Sequence, residues 1–414
     1  MDLAITNARY LTLDAIRGIA VMGILLMNII SFAMPDAAYF SPAAYGGTSP
    51  PDVISWAIMS VLVDSKMRGL FSMLFGASML LVYQRAEAAQ GDGKIVHVQR
   101  MVWLLLFGLV HYYLIWFGDI LTLYALCGLV GIGLLYKDEA QLRRIAIWLL
   151  SLSFALFGAM MIGLWVLKTM AMQPGADPEL VNTFTEAMAE FGSTDSELTA
   201  DSLALYRSGY LDIAWNQLTE GFFLPVISFF MGALETFGLM ALGMMYFRNG
   251  FLTGNWDNAR YVKTMRIAYY IGIPGQMALA LWGWVSGFDP LVTLGNMMVW
   301  SLPFHIAVMI GHAALAMLLI KRFANRTIIA RISAVGQAAF TNYLGTSILM
   351  TTLFYGYGFG LFGHLSRWQA YLVVPMVWVI MLLWSKPWLD RYRYGPLEWL
   401  WRSLARGSLQ PARR

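Results

Sequence analysis

His111 and Asp119 fall at the same end of two apolar stretches joined by a short turn. An aspartate that holds an imidazole by one ring N–H leaves the other ring nitrogen free to act as a general base. The alternative is a histidine satisfied by packing alone. Asp14 and Arg17 lie one helical turn apart, so they share a face and can pair. That pair is either a structural ion pair or a cationic site for a phosphate or carboxylate. Asn28 lies deeper in the same stretch, where its amide needs several hydrogen-bond partners. It is either helix–helix glue or a substrate contact.

Asp64, Lys66 and Arg68 put three charges just ahead of an apolar run that contains Ser72. A charge in hydrocarbon costs several kcal/mol unless it is paired or hydrated. The cluster is therefore expected to line a hydrated cavity or cap a broken helix, with Lys66, Arg68 and Ser72 as substrate contacts. Glu235 stands isolated in another apolar stretch, which requires it to be paired, protonated or wet. His305 and His312 share a helical face without a nearby carboxylate, so no metal site is expected. Thr341, Asn342, Tyr343 and Ser347 form a polar stripe that suits either a cavity wall or a neighbouring helix.

Composition sets the medium in which these residues work. The 414-residue chain is 59% hydrophobic and 13% charged, against about 25% charged in soluble domains. A polytopic, all-α membrane protein follows. A bilayer core needs roughly 20 apolar residues per helix. About ten transmembrane helices are expected, near 12–33, 58–84, 101–117, 120–136, 145–167, 221–247, 267–286, 291–319, 337–361 and 368–385, in one domain covering 1–414. The outer segments carry only Lys168, Arg207 and Arg367, the inner segments carry the bulk of the basic residues from Arg9 to Arg414, and Arg17, Lys66 and Arg68 fall within or beside spans. The positive-inside rule then puts both termini in the cytoplasm.

Two segments outside the spans have their own character. Residues 171–217 are acidic, with Asp177, Glu179, Glu186, Glu190, Asp195, Glu197 and Asp201, and apolar positions recur at helical spacing. They read as a small outer cap of amphipathic helices, either a solvated hairpin or a lid. Residues 387–406 mix tryptophans with arginines, the pattern of a helix in the inner interface whose arginines meet lipid headgroups. The net charge of +4 does not indicate nucleic acid, because the basic residues are dispersed between spans. The single cysteine, Cys127, excludes an internal disulfide and a paired-cysteine zinc site. No phosphate-binding GxxxxGK[ST] or GxGxxG motif is present, nor a GxSxG elbow, which argues against an ATP-driven pump and a serine hydrolase.

Leu13-Asp14-Ala15-Ile16-Arg17-Gly18 with Asn28, the run Lys66 to Gly76, His111 with Gly118-Asp119-Ile120-Leu121, Ala339 to Tyr343, and Tyr394 to Arg402 resemble the YeiB-type family of bacterial inner-membrane proteins. The first span is also similar to that of transmembrane acyltransferases, including heparan-alpha-glucosaminide N-acetyltransferase. That similarity implies an acyl group taken from cytoplasmic acyl-coenzyme A and passed to an acceptor on the outer side, and it is compatible with a homodimer. In the heparan enzyme the first-span asparagine is followed by a functional histidine. Here Asn28 matches, but Tyr39 stands at the histidine's position. His111 with Asp119 is the substitute candidate for the base, on chemical grounds. Arg17 would hold coenzyme A phosphates, and Asn28 or Lys66 would stabilise the oxyanion. A transporter or flippase of an amphipathic molecule, or a lipid-binding scaffold, would use the same polar residues without making a bond.

Overall fold

A computed structural model describes residues 2–189 and 197–414, with side chains from Leu11 onward. Glu190 and Asp195 lie outside the described residues, as does the side chain of Arg9. Every regular element among the described residues is a helix. Helix α1 (Asp2–Ala33) is followed by a short turn α2 (Ala37–Phe40), then α3 (Pro50–Leu62), α4 (Lys66–Ala88) and α5 (Gly93–Leu114). Helix α6 (Leu121–Val130) tightens into a 3₁₀ turn over Gly131–Tyr136 before α7 (Glu139–Ala171). Three short helices, α8 (Pro178–Ala189), α9 (Glu197–Tyr206) and α10 (Tyr210–Leu218), precede α11 (Leu224–Arg248) and α12 (Asn258–Val285). Helix α13 (Pro290–Gly295) passes through a π-helical turn at Asn296–Trp300 into α14 (Leu302–Arg322). The chain ends with α15 (Thr327–Gln337), α16 (Ala339–Phe354), α17 (Arg367–Tyr371), α18 (Val373–Arg391) and α19 (Pro396–Arg406).

Among the described residues, six segments are long and apolar enough to cross a membrane: Leu11–Ala33, Gly93–Leu114, Glu139–Ala171, Leu224–Arg248, Leu302–Arg322 and Arg367–Arg391. The chain is a multi-pass membrane protein. Six is fewer than the ten expected, and the four shortfalls have physical causes. Helix α4 opens on Lys66 and Arg68 and closes on Arg85 and Glu87. Helix α12 mixes Tyr269, Tyr270, Pro274, Gln276, Trp282 and Trp284 into its apolar stretch. Helices α6 and α16 are too short. The expected span 58–84 is in fact broken at Val63–Ser65, and within 337–361, beyond the last residue of α15, only α16 is helical, ending at Phe354 ahead of a turn.

In lipid, apolar side chains gain little by leaving one greasy surface for another, so small residues and polar contacts decide which helices touch. Two reciprocal glycine contacts do this here. A Cβ on Gly76 would stand 2.2 Å from the Met240 carbonyl oxygen, and one on Gly243 would stand 1.8 Å from that of Met73. Helices α4 and α11 therefore cross backbone to backbone. Gly18 and Gly336 do the same for α1 and α15, against Ile332 and Asp14 carbonyls at 2.1 and 1.8 Å. The short links at 115–120 and 286–289 fold α5 on α6 and α12 on α14 as antiparallel pairs. The outward face of α7 shows Ile147, Trp148, Leu156 and Ile162, the surface a lipid-facing helix presents.

The segment 171–217 divides between two supports. Phe184 and Met188 of α8 pack near Met161 of α7, and Tyr206 and Ile213 of α9 and α10 join Phe32, Trp116 and Phe354. A Gly243→Leu substitution has only backbone to displace, and overpacking of this kind costs about 1–3 kcal/mol. Its thermal midpoint in detergent should fall below wild type. Gly133→Ala, which meets nothing within 4 Å, should stay within about 0.5 kcal/mol.

Candidate functional site

A cavity of about 430 Å³ opens between α1, α4, α5, α6, α16 and α19. That volume falls in the roughly 300–1,000 Å³ range of small-molecule sites. One end is cationic: Arg17, Arg85, Arg100, Arg393 and Arg402 face two carboxylates, Asp14 and Glu398. The other end is apolar and aromatic, with Phe71, Phe75, Ile120, Tyr124 and Tyr343.

The cationic end is assembled by α1, α5 and α19. Arg17 Nη1 donates to Asp14 at 2.9 Å, and its Nη2 donates to Ser78 of α4 at the same distance. The Asp14–Arg17 pair is thus an ion pair that also lines the cavity. Arg100 lies over the Trp401 ring, 4.1 Å from its centre, while Trp401 Nε1 donates to the Arg100 carbonyl at 2.9 Å. Arg402 covers the Tyr394 ring at 4.6 Å. Glu398 fixes α19 to the bundle by capping another helix. It accepts from the Phe340 and Thr341 amides at 2.7 and 3.1 Å and from the Thr341 hydroxyl at 2.6 Å. Burial pushes the Glu398 carboxyl above its ordinary value, and those hydrogen bonds oppose the shift. Burial lowers the Arg402 guanidinium.

The apolar end abuts the histidine. His111 Nδ1 stands 2.8 Å from Asp119 Oδ1, and both side chains are buried. Asp119 also accepts from the Leu121 and Thr122 amides at 3.1 and 2.7 Å, which starts α6. With its carboxylate as acceptor, Nδ1 carries the proton. Nε2 is then the basic nitrogen, and it has no protein partner among the described residues. The imidazole lies 5.2 Å from the Tyr343 ring, which lines the cavity, and 6.2 Å from Trp116. Asn28 lines a small gap with Tyr343, Thr346 and Ser347. Tyr343 therefore stands between Asn28, His111 and the cavity.

The remaining sequence candidates gather elsewhere. Arg68 Nη2 donates to both carboxylate oxygens of Glu235, at 2.9 and 3.0 Å, with His305 Nε2 3.4 Å from the same carboxylate. This answers how Glu235 is accommodated, and it sets both residues apart from the cavity lining. Ser72 is fully buried between the Arg68 carbonyl and the Tyr124 hydroxyl. Its place is inside the packing rather than on a substrate surface. Asn342 is used up as glue: its amide donates to Val335 O and Ser385 Oγ and accepts from Trp384. Lys66 lines a separate, smaller cavity with Asp64. His312 is held by Tyr269 and the Leu62 carbonyl.

Sequence reasoning missed Arg85, Arg100, Glu398 and Arg402 as cavity residues. Arg85 and Arg100 read as loop charges of the positive-inside kind, and Arg402 as a headgroup contact. The available signal was Glu398, a carboxylate set among Leu397, Trp399, Leu400 and Trp401, where a solvated acidic residue has no reason to be.

The chain is 31% identical to YeiB of Escherichia coli (strain K12) over 98% of both chains. It is 30% identical to YxaH of Bacillus subtilis (strain 168) over 98% of this chain and 96% of the relative. The chain belongs to the YeiB-type family. Residues 246–408 match the family model described as a protein of unknown function (DUF418). That stretch contains α19 and the Glu398 cap of the cavity, whereas His111 and Arg17 lie ahead of it. No solved structure matches the chain.

Removing the Glu398 cap leaves two buried amides without an acceptor, at about 1–3 kcal/mol. Glu398→Ala should therefore raise hydrogen exchange in α19 and at the start of α16 before the rest of the bundle loosens. Glu398→Gln, which keeps an acceptor oxygen, should exchange more slowly than the alanine variant.

Proposed function

We propose that this protein is a transmembrane acyltransferase that takes its acyl group from cytoplasmic acyl-coenzyme A and passes it to an acceptor on the outer side of a bacterial inner membrane. The observation that carries the proposal is one cavity with arginines at one end and Tyr343 at the other, the buried His111 imidazole lying 5.2 Å from the Tyr343 ring. Arg100 and His111 sit on the same helix, about 16 Å apart at 1.5 Å per residue. An extended phosphopantetheine arm is of that length. Phosphates held by Arg17, Arg100 and Arg402 would therefore place the thioester near Tyr343 and His111. Arginines suit phosphate because their planar forks bind two oxygens at once.

The chemistry balances with the groups at hand. His111 Nε2 removes the proton from an acceptor hydroxyl or amine. The acceptor attacks the thioester carbonyl to form an oxyanion, from which Asn28 is set apart by its place in the small gap behind Tyr343. The carbon–sulfur bond then breaks, and the imidazolium returns its proton to the leaving sulfur. Asp119 keeps the ring oriented through its hydrogen bond to Nδ1, while the two α6 amides hold the carboxylate in place. Lys66 has no part in this scheme, since it lines a different cavity.

The orientation follows the distribution of basic residues. With both termini in the cytoplasm, the arginine end faces inward and the His111 end outward, under α9 and α10. Helices α4, α6 and α16, shielded from lipid by protein neighbours, and α12, whose exposed face is apolar at Ile267, Ile271, Met277 and Leu281, are read as further crossings, giving ten in all. This shielding explains how short or polar helices persist at membrane depth.

Calorimetric titration of the purified protein with acetyl- and longer acyl-coenzyme A tests the reading. Saturable binding is expected, and Arg402→Ala should weaken it about tenfold or more, the value of a hydrogen bond to a charged group. His111→Ala should leave affinity nearly unchanged while turnover falls by about 10²–10⁴. Absence of binding by every acyl-coenzyme A would overturn the proposal and favour transport of an amphipathic molecule.

A further inference from the structure

A second cavity, about 70 Å³, lies where α3 gives way to α4. It is separated from the arginine cluster by the length of α4, since Arg85 sits about 28 Å along the helix from Lys66 at 1.5 Å per residue. Its geometry depends on Ser65, which adopts a left-handed backbone with φ of 64°. Such a conformation is costly for a residue with a side chain, and it persists where surrounding structure enforces it. The effect is that Asp64 and Lys66, on either side of Ser65, both line the same cavity.

The lining offers hydrogen-bonding groups of both kinds. Lys66 is 1% exposed. Its ammonium donates to the Ser60 carbonyl and to Gln276 Oε1, the latter at 3.0 Å. Those bonds occupy two of its three donors. Gln276 is fixed in turn by its amide, which donates to the Ser301 carbonyl at 3.1 Å. Asn296 donates to the Leu279 carbonyl at 3.0 Å, while its Oδ1 is buried without a partner among the described residues. The π-helical turn that begins at Asn296 sets this side chain against the cavity. Asp64 remains half-buried, and its carboxylate has no hydrogen bond to a described residue. Trp56, held edge-on against Phe288 with ring centres 5.0 Å apart, supplies a flat apolar wall.

Charge and size narrow the ligand. One carboxylate and one ammonium flank a single residue, so their fields offset each other, and the nearby Arg367, whose field also reaches Asp64, is met by Asp52. The cavity therefore lacks the net positive charge that suits the arginine cavity to anions. It wants a neutral group that both donates and accepts hydrogen bonds and presents C–H faces to an aromatic ring. Hydroxyl groups on a short carbon chain meet those demands. A water needs roughly 10–15 Å³ of such space, so the volume fits about five water-sized positions, the size of a three-carbon polyol. We propose that this cavity binds a small neutral polyol group, either free or as the end of a membrane lipid. The inference stands apart from the acyl-transfer reading, because it concerns binding at the opposite end of α4.

Saturation-transfer NMR with glycerol, on the full-length protein in phosphatidylethanolamine nanodiscs, tests it. Transfer to the glycerol protons is expected in wild type. Asp64→Asn, an isosteric change at a half-buried position, should weaken glycerol binding about tenfold, as loss of a charged acceptor implies. Gln276→Leu, which frees Lys66 from its anchor, should do the same, and acyl-coenzyme A affinity should stay unchanged in both variants. Nanodiscs containing phosphatidylglycerol separate the sources: displacement of glycerol assigns the lipid headgroup, and no displacement assigns the free polyol. Glycerol transfer that is absent, or equal in wild type and Asp64→Asn, overturns the proposal. Preferential binding of ethanolamine over glycerol overturns it as well, by making the cavity a cation site.

Discussion

A helix that starts inside a membrane protein exposes backbone amides that water cannot satisfy. Two carboxylates meet that need here, and the cavity exists between them. Asp119 accepts the amides that open α6, and Glu398 accepts those that open α16. Each carboxylate has a second task. Asp119 fixes the His111 ring, and Glu398 ties α19 to the bundle, which brings Arg402 and Trp401 against α5. The backbone's demand for acceptors thus determines where the charged and catalytic side chains can stand. Neither residue is free to be replaced by an apolar one of similar size, since the amides would remain.

Much of this was readable from residue types. An intramembrane charge must have a partner, and the pairs Asp14–Arg17 and His111–Asp119 follow from spacing along helices or across a short turn. The Glu235–Arg68 pair did not follow, because its members lie on helices far apart in the chain. Their meeting depends on the Gly76–Gly243 crossing of α4 and α11. The same limit hid the arginine cavity. Arg85, Arg100 and Arg402 each look like ordinary interface charges, and only the packing of α19 against α5 makes them neighbours.

The hydropathy pattern gave the long helices well and the interrupted ones poorly. The segment 58–84 reads as one span, yet Val63, Asp64 and Ser65 break it. The charges that marked the region as unusual, Asp64, Lys66 and Arg68, lie in the break and in the first turn after it. The segment 291–319 contains a π-helical turn that no periodicity reveals. At 387–406, α18 continues to Arg391 and the amphipathic helix begins only at Pro396, where the proline suits a first helical turn. Asn342, chosen as a polar residue in an apolar stretch, is spent on holding α16 to α18. Buried amides serve as glue and as ligand contacts through the same hydrogen bonds, so sequence alone does not separate the two uses.

The structure that emerges has two chemically distinct cavities at opposite ends of α4, one cationic and one neutral. The central claim is that the cationic cavity holds an acyl-coenzyme A with its thioester beside His111. An experimental structure in the presence of a non-hydrolysable acyl-coenzyme A analogue tests this most directly. The account predicts density for the phosphates against Arg17, Arg100 and Arg402, and for the thioester at the apolar end against Tyr343. A phospholipid filling the cavity, with the analogue excluded from it, would contradict the claim.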